Sequence, residues 1–83
     1  MRATVTLVTK PGCHLCDEAR PIVLEVVDSL DGAEFVEKSI LDDTDLYEQF
    51  VEEIPVVLIN NRVHNIWRVD ADRLRAAILE VTA

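Results

Sequence analysis

The sequence predicts an α/β domain in which one mixed sheet of four strands is covered by helices, in the order β-α-β-α-β-β-α. Three observations carry this expectation. Strand-like stretches and stretches of helical period alternate through the first half of the chain. A strand, a helix and a second strand at the start form the unit that joins parallel strands. Near the end, Asn60-Asn61 separates two strand-like stretches and suits the positive φ angles of a tight hairpin, which joins antiparallel strands. The chain has 83 residues, 49% of them hydrophobic, which permits one small domain over 1–83.

The elements follow in order. Residues 3–9 alternate, with Val5 and Leu7 on one side, threonines on the other, and Val8 joining late; threonine and valine favour strands. Pro11-Gly12 breaks this strand. From Cys13 the period becomes helical, and Ala19, Ile22, Val23, Val26, Val27 and Leu30 form one apolar stripe. Asp17 and Glu18 fall in its first turn, and Asp31-Gly32 ends it. Pro21 lies inside and is expected to kink or divide the helix, because it removes one backbone hydrogen bond. Residues 33–40 read as a second strand whose charges at Glu34, Glu37 and Lys38 suit a sheet edge. Asp42-Asp43-Thr44-Asp45 is a capping cluster before a short helix with Leu46, Tyr47, Phe50 and Val51 on one face. Val56 to Ile59 is apolar on both faces, as a central strand is. Residues 62–67 complete the hairpin. Asp70 caps a last helix whose apolar face is Ala71, Leu74, Ala77, Ile78 and Val81.

Composition excludes several functions. Sixteen acidic residues against eight basic ones give a formal net charge of −8, which argues against nucleic acid or an anionic membrane as partner, since both need clustered lysine and arginine. The longest apolar run, 54–59, contains a proline and is too short to span a bilayer. The start has one arginine and then an alternating pattern, not the apolar core of a signal peptide. The expected compartment is therefore the cytoplasm, where a lone cysteine pair points to catalysis or metal binding ahead of a structural disulfide. The expected state is a monomer.

The stretch that carries chemistry is Lys10-Pro11-Gly12-Cys13-His14-Leu15-Cys16. It places both cysteines at the front of the first helix, where free backbone N–H groups and the positive end of the macrodipole favour a thiolate. Cys13 falls at the helix mouth and Cys16 one turn further in, on the same face. A thiolate at Cys13 can attack a disulfide, and Cys16 can then resolve the mixed disulfide. Lys10 and a protonated His14 favour that thiolate, whereas Asp17 and Glu18 oppose it. His14 has two further readings, an exposed helix-start residue without a role and a metal ligand. His64 reads as an ordinary strand residue. Tyr47, Phe50 and Trp67 read as core or edge packing, with Trp67 also able to border a partner groove.

Taken together, the element order, the Cys-x-x-Cys at the start of the first helix and Ile54-Pro55 before the third strand resemble the thioredoxin superfamily. Lys10-Pro11-Gly12-Cys13 and the compact size are similar to glutaredoxins, while Pro21 matches a helix proline of thioredoxins. Read alone, Pro55 is an ordinary trans proline starting a strand. The resemblance implies instead a cis Ile54–Pro55 bond packed beside Cys13 and Cys16, with the Ile54 backbone free to pair with an extended substrate segment. It further implies Cys13 and Cys16 as catalytic residues, Lys10, Ile54 and Pro55 as substrate-binding residues, and His14 as a residue tuning the thiolate. Two features depart from the family. The stretch 66–70 lacks the glycine pair that glutathione-binding glutaredoxins carry, and Gly12 stands where thioredoxins have a tryptophan.

The implied function is a thiol–disulfide oxidoreductase with no bound cofactor or metal. Its expected partners are a disulfide-containing protein or small-thiol substrate, with glutathione, another small thiol or a reductase as electron donor. The alternative from the same cysteines is a soft-metal carrier for copper or zinc. Such carriers end on a strand and have methionine before the pair, whereas here a helix ends the chain and Gly12 precedes Cys13. A third class is a binding module on the same fold whose cysteines do not turn over.

Overall fold

A computed structural model describes residues 2–82 of the chain; Met1 and Ala83, the two ends of the expected 1–83 domain, lie outside the described residues. Seven elements follow the expected order: β1 (Ala3–Thr9), α1 (His14–Asp28), β2 (Ala33–Ser39), α2 (Thr44–Phe50), β3 (Val56–Ile59), β4 (Arg62–Ile66) and α3 (Ala71–Thr82). The strands form one sheet in the order β2-β1-β3-β4. β1 runs parallel to β2, with Ala3 opposite Ala33 and Thr9 opposite Ser39. It runs antiparallel to β3, with Val5 opposite Ile59 and Val8 opposite Val56. The charged strand β2 is an edge, as its Glu34, Glu37 and Lys38 suggest.

Strand alternation divides the core between the two faces of the sheet. On one face Val5, Leu7, Val57 and Ile59 pack with Ala19, Val23, Val26 and Val27 of α1 and Leu74 and Ile78 of α3. On the other, Val8, Val56 and Leu58 pack with Ile40 and with Phe50 of α2. Because helices cover both faces, β1 has no solvated side, and Thr6 and Thr9 are buried with its valines. Burying each valine or leucine side chain contributes roughly 1.5–3 kcal/mol relative to exposure.

Local signals close the ends of the elements. The Asp43 carboxylate accepts the backbone N–H groups of Asp45 and Leu46 at the start of α2, and Asp70 accepts that of Arg73 at the start of α3. Asn60 and Asn61 adopt φ of 51° and 69°, the left-handed pair that a two-residue hairpin requires. The Asn60 side chain also accepts the Thr4 N–H at 2.9 Å, tying the hairpin to β1.

Several expectations change. α1 ends at Asp28, capped by Ser29, rather than at Asp31-Gly32, and β2 stops at Ser39, one residue short of Ile40. Of the two effects expected of Pro21, division of the helix does not occur; Pro21 and Asp17 are exposed, so the carbonyl that the proline leaves unpaired one turn back can bond to water. β4 stops at Ile66 rather than Trp67, because Trp67 turns into the left-handed region at φ 67°. Val81 is 37% exposed, because it lies on the apolar face of α3 but past the end of the core. Tyr47 is 46% exposed, which leaves Phe50 as the buried anchor of α2 with Leu46 and Val51 packed against the same cluster.

Candidate functional site

The first crossover connection starts where β1 ends. The Cys13 N–H donates to the Lys10 carbonyl at 3.2 Å, closing a turn over Pro11 and Gly12. Gly12 takes φ 77°, and nothing lies within 4 Å of where its Cβ would be, so glycine is needed there for the backbone angle rather than for space. This turn aims Cys13 into the N-cap position of α1. Its Sγ accepts the Cys16 N–H at 3.2 Å, and its carbonyl accepts the Asp17 N–H at 3.1 Å. The sulfur therefore does the work usually done by a serine or aspartate oxygen. A thiolate in this position keeps the hydrogen bond and gains the helix field.

Cys13 and Cys16 are joined as a disulfide, with Cα atoms 5.2 Å apart. The two are not equivalent. Cys16 has no exposed surface and belongs to the buried interior, whereas Cys13 is partly exposed. A visiting sulfur can reach only the first.

Lys10 and His14 are exposed beside the pair. The acidic residues behind it are not equally free to act. Asp17 accepts from Arg20 at 3.1 Å, and Arg20 also reaches Glu37 of β2 through two bonds of 2.7 and 2.8 Å. Glu37 in turn accepts from the buried Thr9 hydroxyl at 3.0 Å. This chain of contacts joins the last residue of β1 to the second turn of α1, bracing both ends of the cysteine loop. It also answers the Asp17 charge that opposes a Cys13 thiolate. Arg20 and Glu37 were missed from sequence. The Asp17–Arg20 spacing was a usable signal, but nothing local points from α1 to Glu37.

The Arg20 guanidinium holds the Glu37 carboxyl below its ordinary value, outweighing burial, with the Thr9 hydroxyl adding to the effect. A carboxyl lowered in the folded state contributes stability that is fully present above its unfolded value of 4.5 and is lost as the pH falls through the lower folded value. Both side chains are about one-third exposed, so the contribution is modest. Measured by denaturant unfolding, the stability lost in Glu37→Gln is expected to be constant at neutral pH and to shrink in acid below 4.5. A loss equally large in strong acid contradicts this assignment.

Pro55 is buried, and its bond to Ile54 is cis. The antiparallel register puts Val56 opposite Val8, so Pro55 enters the sheet alongside the end of β1, where the cysteine loop departs. Ile54 is partly buried just before it. The Pro55 carbonyl accepts the Trp67 N–H at 2.8 Å, and the Trp67 indole Nε1–H donates to the Glu52 carbonyl at 3.2 Å. Trp67 also borders a groove of about 170 Å³ with Leu15, Glu18, Ala19, Ile22, Arg68 and Val69. Leu15 lies between the two cysteines, so groove and cysteine loop adjoin. Trp67 is therefore not simply packed at an edge.

Among the described residues, no group of three or more His, Cys, Asp and Glu side chains is arranged to hold a metal ion, and none of the helices is long and apolar enough to cross a membrane. His64 is on β4, where its proton affinity is lowered by burial and by the Arg73 charge.

Residues 4–79 match the family model of the glutaredoxin-like domain (DUF836). The chain belongs to this glutaredoxin-like family. An uncharacterized protein of Mycobacterium tuberculosis, Rv0508, is 31% identical over 86 residues, covering 98% of this chain and 88% of that protein. Among solved structures, a protein from X. campestris aligns at 30% identity with a TM-score of 0.65, over 93% of this chain and 96% of its own. A thioredoxin variant from Halobacterium salinarum superposes with a TM-score of 0.73 at 16% identity, over 98% of this chain and 75% of that one. The last shows the fold alone. This glutaredoxin-like chain thus combines the thioredoxin fold with a disulfide-forming cysteine pair at the mouth of α1.

Proposed function

We propose that this glutaredoxin-like protein is a thiol–disulfide oxidoreductase in which Cys13 is the nucleophile and Cys16 the resolving thiol. The observation that carries the reading is the unequal pair: a reachable sulfur capping a helix, bonded to a fully buried one. The Cys13 thiolate forms a bond to one sulfur of a substrate disulfide while that disulfide breaks, and the other substrate sulfur leaves as a thiolate. The Cys16 thiolate then bonds to Cys13 and releases the first substrate sulfur. Two electrons pass to the substrate, and a small thiol such as glutathione or a reductase returns them. Lys10, Ile54 and Pro55 contact the substrate in this scheme, with Ile54 offering backbone for strand pairing and His14 favouring the thiolate. Burial of Cys16, which keeps its sulfur from an entering ion, counts against the soft-metal carrier, and two sulfurs are too few for a closed zinc site.

The test is turnover. Reduced protein with dithiothreitol as recycling thiol is expected to accelerate reduction of a model disulfide well above the dithiothreitol background, with two titratable thiols present only after reduction. No acceleration from a chain whose two thiols titrate fully overturns the enzyme reading and leaves a binding module.

A further inference from the structure

Cys13, Asp17 and Arg20 follow one another at i, i+4 and i+7, so they line one face at the start of α1. The Asp17 N–H donates to the Cys13 carbonyl at 3.1 Å. Its carboxylate therefore sits one helical turn from the sulfur, a like charge for a thiolate. An exposed ion pair between Asp17 and Arg20 would by itself be loose and weak. Here β2 holds the guanidinium still. Arg20 Nε and Nη2 donate to the two carboxylate oxygens of Glu37 at 2.7 and 2.8 Å, a bidentate pair. The buried Thr9 hydroxyl fixes Glu37 in turn at 3.0 Å, and the remaining Arg20 Nη1 donates to Asp17 at 3.1 Å. The other charged or titratable groups of the loop, the start of α1 and the segment before Pro55 are Lys10, His14, Glu18, Glu52 and Glu53. Among the described residues, none of these five is in an ion pair.

We propose that Arg20 is a positioning residue for the dithiol: held by Glu37 of the neighbouring strand, it cancels the Asp17 charge one turn from Cys13 and keeps the reduced Cys13 in its reactive thiolate form. Arg20 touches neither sulfur and acts through Asp17. Glu37 supplies the fixed anchor, so the sheet edge controls a charge on the helix that carries the nucleophile. Without the guanidinium, Asp17 faces the sulfur uncompensated, and a higher pH is needed to form the thiolate. The inference rests on the thiol–disulfide reading above for its meaning in turnover, but its test reads the sulfur directly.

The experiment is the pH profile of iodoacetamide alkylation at Cys13 in the reduced chain, for the parent, Arg20→Gln, Asp17→Asn and the double variant. Arg20→Gln is expected to move the midpoint up by about half a pH unit, the scale of one unit charge roughly 6 Å away in a water-like dielectric. Below the midpoint this is about a threefold slower reaction, while the high-pH plateau, which reports access to the sulfur, is expected to stay the same. Asp17→Asn leaves no carboxylate to cancel, so adding Arg20→Gln to it is expected to move the midpoint little. A purely structural brace predicts the opposite, because the double variant lacks the brace as fully as Arg20→Gln does. In about 1 M salt the shift in Arg20→Gln is expected to shrink. An unmoved midpoint in Arg20→Gln, an equal shift with and without Asp17, a shift indifferent to salt, or a change confined to the plateau overturns the proposal. A parent chain that reduces no model disulfide overturns the thiol–disulfide reading instead, and the four alkylation profiles still decide the role of Arg20.

Discussion

Replacing Cys13 by serine is expected to abolish disulfide reduction, and replacing Cys16 by serine to stop the cycle one step later, with the substrate held on Cys13. The difference follows from exposure. Cys13 is the sulfur that a partner can reach, and Cys16 has no exposed surface. Without Cys13 no mixed disulfide forms. Without Cys16 the mixed disulfide forms but lacks its internal attacker, and it persists until an outside thiol resolves it. Non-reducing gels and intact mass read the trapped species directly. A Cys13→Ser variant that still turns over, or equal loss from both substitutions with no adduct on Cys16→Ser, contradicts the assigned roles.

The largest effect on stability is expected from Leu7→Ala. Leu7 lies on the central strand β1, has no exposed surface, and packs with residues of α1, α3 and β3. Truncation there removes buried hydrocarbon and leaves a cavity that four elements cannot close together, at a cost of about 2–5 kcal/mol. Domains of this size are stable by roughly 5–15 kcal/mol, so the loss is a large share of the whole. It should appear as a lower denaturant midpoint with an unchanged slope. Val81→Ala removes hydrocarbon from a side chain already 37% exposed and is expected to change stability by at most about 0.5 kcal/mol. Similar losses from the two would contradict the placement of the core.

Much of the fold is legible in the sequence because its signals are local. Period two in β1, the helical stripe of α1, the aspartates capping α2 and α3, and the Asn60-Asn61 turn each act within a few residues. The position of the cysteines is legible for the same reason: Pro11-Gly12 and the onset of helical period together put Cys13 at a helix mouth. What is not legible depends on partners distant in the chain. Pro21 was expected to kink or divide α1; that it does not divide the helix follows from its exposure, and the missing bond falls on the solvent side. Val81 has the right spacing for the α3 stripe, but the core ends before reaching it. The bracing of the cysteine loop by Arg20 and Glu37 requires β2 to lie beside α1. The backbone angle of Trp67 carries no local mark, because tryptophan is a poor indicator of positive φ; its bonds to Pro55 and Glu52 exist only once β3 and β4 have paired.

Equilibration of the purified chain with glutathione redox buffers, followed by quantitative thiol alkylation and intact mass, tests the reversible dithiol most directly. The expected result is a single two-electron transition, in which Cys13 and Cys16 pass together between dithiol and disulfide and excess thiol restores both. Cysteines that do not respond to the buffer, or a stable glutathione adduct on Cys13 with Cys16 still free across the transition, would contradict it.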